Sequence, residues 1–261
     1  MQVARTRLIR ISILATFASW AGMAFGDEGP SVTPYRPSVS TPAALSAPGW
    51  MEVEAGVLHA RADDPTTRDS LPYTLKLAFT PDWGLRVGGD AFVHQANLDG
   101  SSARGLGDTA IVLKRRFALD ESRAFGLELG AKAPSAHAGL GSGHPDYGIN
   151  GIYSADFASA WHTDLNLNAT HLGGSDPGSS PWQGGWAAAL SRSLAEPWGV
   201  TGELSGTRQR GASRTRQWLL AGTYAASRSL ALDFGSSKGL NAASGSWSVF
   251  AGVTFLALRV F

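Results

Sequence analysis

From Trp50 to the end of the chain, apolar side chains recur at every second position, a period that admits strands and not helices. In the run Trp161–Ala169, one parity holds Trp161, Thr163, Leu165, Leu167 and Ala169, while the other holds His162, Asp164, Asn166 and Asn168. Such a segment has one face that avoids water and one that seeks it. Phe125, Leu127 and Leu129 oppose Glu128 in the same way, and Trp247, Val249, Ala251, Val253 and Phe255 oppose Ser248, Gly252 and Thr254. The alternation predicts strands over about 50–60, 72–80, 83–93, 108–117, 123–133, 148–158, 160–171, 182–194, 198–207, 215–225, 229–237 and 246–261. Twelve segments of this size match the roughly 9–11 residues with which a tilted strand crosses a bilayer. Their connections alternate without exception. Those near 61–71, 94–107, 134–147, 172–181, 208–214 and 238–245 are long, whereas those at 81–82, 118–122, 159, 195–197 and 226–228 are short. A soluble sandwich has no reason to alternate so, but an outer-membrane barrel does, with short periplasmic turns and longer outward loops. The fold expected is all-β, a transmembrane antiparallel up-and-down β-barrel of about 12 strands.

Composition narrows the class further. Only 16% of residues are charged, the formal net charge is +1, and there are 32 glycines, 9 tryptophans and no cysteine. Near-neutral charge leaves nucleic acid without an electrostatic footprint. The absence of cysteine excludes disulfides, thiolate metal sites and a catalytic thiol. No run approaches the ~18 apolar residues of a spanning helix. Residues 1–26 read as a secretory signal peptide: Arg5, Arg7 and Arg10 precede an apolar stretch from Ile11 to Trp20, then small residues through Ala24 and Gly26. Residues 27–49, with Pro30, Pro34, Pro37, Pro42 and Pro48, read as a flexible or extended leader, so order is expected to begin near Trp50 and the barrel to occupy 50–261. Whether that leader enters the lumen is open at this stage.

The aromatic residues fall at strand ends. Trp83, Phe125, Trp161 and Trp198 follow short turns, and Tyr73, Trp182, Trp218 and Trp247 follow long loops, forming two candidate interface belts. Arg115, Arg192 and Arg259 share the outward parity near the short-turn ends, where they can snorkel to water. The inward parity collects Glu52, Glu54, Lys76, Arg86, Asp90, Lys114, Arg116, Glu128, Lys132, Asp156, Asp164, Glu203 and Asp233 as lumen-lining candidates, with Asn150, Asn166 and Asn168 between them. Five of these charges are basic and eight acidic, and buried charges must be paired or hydrated. Eight strands just fill with side chains while 16–18 leave an aqueous channel, so twelve admit a narrow pore or a plugged one. Asp108, after Gly105-Leu-Gly107, is placed to pin a loop at the outer rim. The terminal aromatic Phe261 is the signal by which the barrel-assembly machinery takes up a final strand, and Arg208, Arg210, Arg214 and Arg216 form a basic outward loop suited to lipopolysaccharide phosphates.

The opening Arg36-Pro-Ser-Val-Ser-Thr-Pro42, followed by Ala47-Pro-Gly-Trp-Met-Glu-Val-Glu-Ala-Gly56, resembles that of the outer-membrane proteins grouped as the MetA-pathway of phenol degradation family. Gly105-Leu-Gly-Asp-Thr-Ala-Ile-Val-Leu-Lys-Arg-Arg-Phe117 and Pro81-Asp-Trp-Gly-Leu-Arg-Val-Gly88 are similar to its central motif and third strand. The resemblance implies an outer-membrane barrel for passive uptake of small hydrophobic or aromatic solutes, with no cofactor, and transfers no substrate-binding residue. Two other classes stay open: an outer-membrane barrel enzyme of the lipid-hydrolase kind, and a plugged structural or adhesive barrel. For the first, His59, His94, His137, His144, His162 and His171 are scattered, with no Ser-His-acid spacing standing out. His137 and His144 share a loop without a third metal ligand beside them.

Overall fold

The computed structural model describes residues 29–62 and 66–261; the segment read as a signal peptide lies outside them. Thirteen strands follow in order: β1 (Trp50–Arg61), β2 (Thr67–Ala78), β3 (Trp83–Ala96), β4 (Ser102–Gly105), β5 (Thr109–Ala118), β6 (Arg123–Ala133) and β7 (Asp146–Phe157). Then come β8 (Trp161–Leu172), β9 (Trp182–Ser193), β10 (Trp198–Gln209), β11 (Thr215–Ser227), β12 (Leu230–Gly239) and β13 (Trp247–Arg259). Neighbours in the chain pair antiparallel, β3 pairs β5, and β1 pairs β13, which closes the ring. β4 pairs only the outer end of β3 and stands outside the ring, leaving a closed antiparallel barrel of twelve strands.

The barrel inverts the usual distribution of polarity. Leu113, Leu129, Ile149, Leu167, Leu190, Leu220 and Phe234 are exposed on the outer face, while Glu52, Lys76, Lys114, Glu128 and Glu203 are buried on the inner one. An apolar outside suits hydrocarbon, and a polar inside must find its own partners. The short connections gather at one end, the turn end, and the long ones at the other, the loop end.

Two boundaries differ from the sequence reading. β2 begins at Thr67 and runs through Pro72, where the register with β3 shifts between Ser70 and Pro72. A bulge is where a residue without an N–H can sit in a sheet. Tyr73 therefore lies mid-strand, opposite Ala55 and Gly89, and is no part of a rim belt. The loop after β3 carries the extra strand β4, which folds back on His94 and Gln95.

Candidate functional site

The expectation that order begins at Trp50 is corrected by the inner face. Residues 30–49 enter from the turn end, where the Val32 amide donates to the Arg228 carbonyl (2.8 Å), and return there, where the Gly49 amide donates to the Ala78 carbonyl (2.9 Å). Between these points the segment is bound by wall side chains instead of by a strand ladder. Thr33 and Tyr35 amides donate to Glu52 (3.0 Å) and Glu54 (2.6 Å). Val39 and Ser40 amides donate to Glu203 (3.2 and 2.8 Å), joined by the Ser40 hydroxyl (2.8 Å). The Thr41 amide donates to Asn166 Oδ1 (3.0 Å), whose Nδ2 returns a bond to the Thr41 carbonyl (2.9 Å), and the Ala43 amide donates to Ser154 (2.7 Å). Lys76 and Lys114 donate to the carbonyls of Thr33 and Pro42. Proline removes amide donors, so such a segment cannot make a ladder, but its remaining amides satisfy carboxylates that outnumber the wall's cations. The physical reason for the order is thus the acidic surplus of the lumen.

Arg36 is the anchor on the other side. Its guanidinium holds Asp233 through Nε (3.1 Å) and Nη2 (3.0 Å), the bidentate geometry that a planar fork makes with a carboxylate. It lies across Gly56 and Gly252, which face each other between β1 and β13. A Cβ on Gly56 would stand 2.8 Å from the guanidinium carbon, and one on Gly252 would stand 2.4 Å from Nε. The two glycines make the groove in which Arg36 lies.

Tyr35 stands at the centre of the network. Its ring centroid is 3.9 Å from Lys76 Nζ and 4.2 Å from Lys114 Nζ, with the Arg86 guanidinium at 5.7 Å. Cations against a ring face are attracted by its quadrupole, most strongly where water is excluded. Lys76 bridges Glu52 and Glu54, both at 2.6 Å, while Glu128 takes Lys114 (3.4 Å), Arg86 (3.5 Å) and the Asn150 amide (3.0 Å).

The thirteen inward candidates therefore take different places. Glu52, Glu54, Lys76, Arg86, Lys114, Glu128, Glu203 and Asp233 surround the segment. Asp164, bonded to Ser154 and to His162 (3.1 Å), supports it from the turn end. Asp90 and Lys132 sit nearer the loop end. Asp90 holds Arg68 (3.0 Å), and Lys132 spans Asp108 (2.9 Å) and Asp146 (2.8 Å). Arg116 is half-buried at the turn end. Asp156 is corrected: two-thirds exposed, it lies at the end of β7, where the wall no longer encloses it, and holds His162 at 2.6 Å. Asp108 also accepts the Ala136 amide (3.0 Å), which fastens the 134–145 loop over Gly105–Gly107. Sequence reasoning assigned no site role to Tyr35, Arg36, Ser40 and Thr41; the excess of acids over bases and the Arg36–Pro42 motif were the traces of them.

Trp83, Phe125, Trp182, Trp198 and Trp247 are exposed on the outer face, and Trp161 and Trp218 are half-buried. Arg115 stacks on Trp83 (5.0 Å) and Arg192 on Trp161 (5.1 Å) at the turn end. Phe261 extends past β13, exposed, while the Val260 amide donates to the Gly49 carbonyl (2.7 Å).

The segment fills the turn-end half of the lumen and leaves two cavities above it. One, of ≈ 580 Å³, is lined by Asn150, Asn166, Asn168, Ser205, Thr207 and Gln217 together with Val39, Val112 and Ala187. The other, of ≈ 400 Å³, is bordered by Leu58, Pro72, Leu219 and Phe250, with Arg36 and Pro37 also lining it. Val39 and Gln217 border both. Volumes of this size are those of small-molecule sites.

A family model described as "Putative MetA-pathway of phenol degradation" matches residues 35–257. Among curated proteins none matches the chain. The crystal structure of the COG4313 outer membrane channel from Pseudomonas putida F1 is similar in fold, with a TM-score of 0.66 and 13% identity over 87% of this chain and 100% of that one. The NanC porin follows at TM-score 0.56 and 8% identity, covering 79% of this chain and 100% of that one. The CymD monoaromatic hydrocarbon channel has TM-score 0.50 and 10% identity, covering 82% and 90%.

Proposed function

We propose that this chain, which belongs to the MetA-pathway of phenol degradation family, is a passive outer-membrane channel for small hydrophobic or aromatic solutes, exported by a cleaved signal peptide. The observation that carries the reading is the pair of cavities beneath the loop end, each lined by apolar side chains with polar ones among them and floored by a segment of the same chain. A solute enters from the loop side, rests against Leu58, Leu219 and Phe250, and passes when the segment yields at Arg36 and Pro37. Hydrogen bonds to side chains hold that segment, so it can leave without breaking the barrel's ladders. The fold shared with solved outer-membrane channels and porins supports a transport role over a catalytic one. The chemistry of the lumen agrees: its carboxylates are engaged by cations and amides of the chain.

The test is solute entry into proteoliposomes holding the refolded chain, with phenol as the neutral aromatic probe and glucose as the polar one. Faster phenol entry than in protein-free vesicles, lost on Leu219→Arg and Phe250→Arg, is the expected result. Equal entry with and without inserted protein would overturn the reading.

A further inference from the structure

The outer face at the loop end gathers most of its cations on one side, with Arg104 of β4, opposite His94, standing apart from them. Along the register, Arg61 of β1 faces Trp247 of β13, Trp247 faces Lys238 of β12, and Lys238 faces Trp218 of β11. Cation and indole thus alternate at one level across four adjacent strands. Two residues beyond Trp218 on the same face is Arg216, with Arg214 beyond it, and Arg208 and Arg210 hold the outward parity on and after β10. All six cations are exposed, and among the described residues none has a carboxylate within ion-pair distance. Among the described residues Asp69 of β2 flanks this arc, and it is engaged by His59 at 2.6 Å. The outward positions of β5 to β9 at the same end run through Ile111, Ala131, Tyr147, His171 and Trp182, with no lysine or arginine.

Resting on the outer-membrane reading, we propose that the β10–β13 and β1 arc is a docking surface for a phosphorylated lipid of the leaflet that faces the loops. Solvation alone would spread cations round the rim; six gathered on one arc, two level with a pair of indoles and four beyond them, match a molecule with anionic phosphate above an acyl body. Indoles lie at the headgroup level of a bilayer, so the cations beyond them stand where phosphate stands. Arginine is suited to the task because its fork meets phosphate oxygens bidentately. Among the described residues no carboxylate pairs with Arg208, Arg210, Arg214 or Lys238, which leaves these four charges open to a ligand, while Arg61 and Arg216 also border the cavities.

The experiment is a lipid titration of the refolded full chain in detergent, read by native mass spectrometry. The probes are diphosphorylated lipid A, dephosphorylated lipid A and inorganic phosphate. The wild type should retain the phosphorylated lipid far more tightly than the dephosphorylated one, with inorganic phosphate failing to compete. The variant Arg208→Gln/Arg210→Gln/Arg214→Gln/Lys238→Gln avoids residues that border the cavities and should lose about fivefold in affinity per cation removed, since each cation at an anionic lipid surface contributes on that order. Arg123→Gln/Arg228→Gln, at the turn end, should change nothing. Should the quadruple variant fail to fold, salt dependence of the wild type serves instead: raising ionic strength from about 0.05 to about 0.5 M should weaken only the phosphorylated lipid. Equal affinity for the two lipids, a salt-independent preference, or competition by inorganic phosphate would overturn the proposal. Failure of the chain to insert into bilayers would instead remove the membrane reading beneath it.

Discussion

Replacing Arg36 by alanine tests whether the inner segment is a barrier held by side chains. The change strands the Asp233 carboxylate, whose side chain is 4% exposed and whose ionic partner is Arg36. Breaking a buried ion pair by removing one partner costs about 3–5 kcal/mol. Arg36 is 18% exposed and borders the apolar cavity, so water reaches the gap and the lower end of that range applies. The penalty falls on the seated segment alone, because Asp233 is hydrated once the segment leaves. About 3 kcal/mol corresponds to roughly a hundredfold rise in the open fraction, at 1.4 kcal/mol per decade. The assay is single-channel recording of the refolded chain in a planar bilayer. Wild type should be closed for most of the record, and Arg36→Ala should open some hundredfold more often, with unchanged step size. Asp233→Asn in the Arg36→Ala background removes the stranded charge and should bring openings back toward wild type, the coupling expected of residues in contact. Arg36→Lys keeps charge without the fork and should fall between. Openings in Arg36→Ala no more frequent than in wild type, or Asp233→Asn adding to the effect instead of relieving it, would refute the reasoning.

Gly252→Ala introduces a methyl group 2.4 Å from Arg36 Nε and should raise opening several-fold, less than Arg36→Ala because the displaced arginine still reaches Asp233; the barrel's melting temperature should stay within a few degrees. At the rim, burial works to raise the Asp108 pKa, but the Lys132 ammonium and the amides of Ala136 and Ser135 outweigh it and hold the carboxyl below its usual value. A depressed folded value means that the latch is complete above the unfolded value of about 3.9 and is lost as pH falls through the lower one. A spin label at Ala138 should therefore be restrained at pH 7, become mobile only in strong acid, and be mobile throughout in Asp108→Asn; a label indifferent to that substitution would disprove the latch. Deleting Phe261 should lower the amount of barrel assembled in cells, measured by heat-modifiable migration, while refolding in detergent continues, since its side chain is exposed.

The wall was legible because two solvents imposed it. Leu165 and Leu167 meet hydrocarbon while Asp164 and Asn166 meet the interior, so every second position carries information. Pro72 marks the limit of that code: read locally it ends a strand, yet a bulge in the register with β3 accommodates it, and Tyr73 moves from rim to mid-wall as a result. The inner segment was illegible by period because its bonds go to side chains far away in sequence, as from Ser40 to Glu203. Its anchor needed the register as well, since Gly56 and Gly252 become one groove only when β1 meets β13. What did survive in the sequence was a charge balance. Eight acids against five bases on one parity demand further donors, and the remaining part of the chain able to supply them was the proline-rich stretch that precedes the first strand. Of its charged residues from Pro30 onward Arg36 is the sole one, and it closes on Asp233, which like Glu203 has no wall cation among the described residues. The opening Arg36-Pro and the Glu54-Ala-Gly56 of the first strand are thus two halves of one interaction, a plug residue and the seat that receives it.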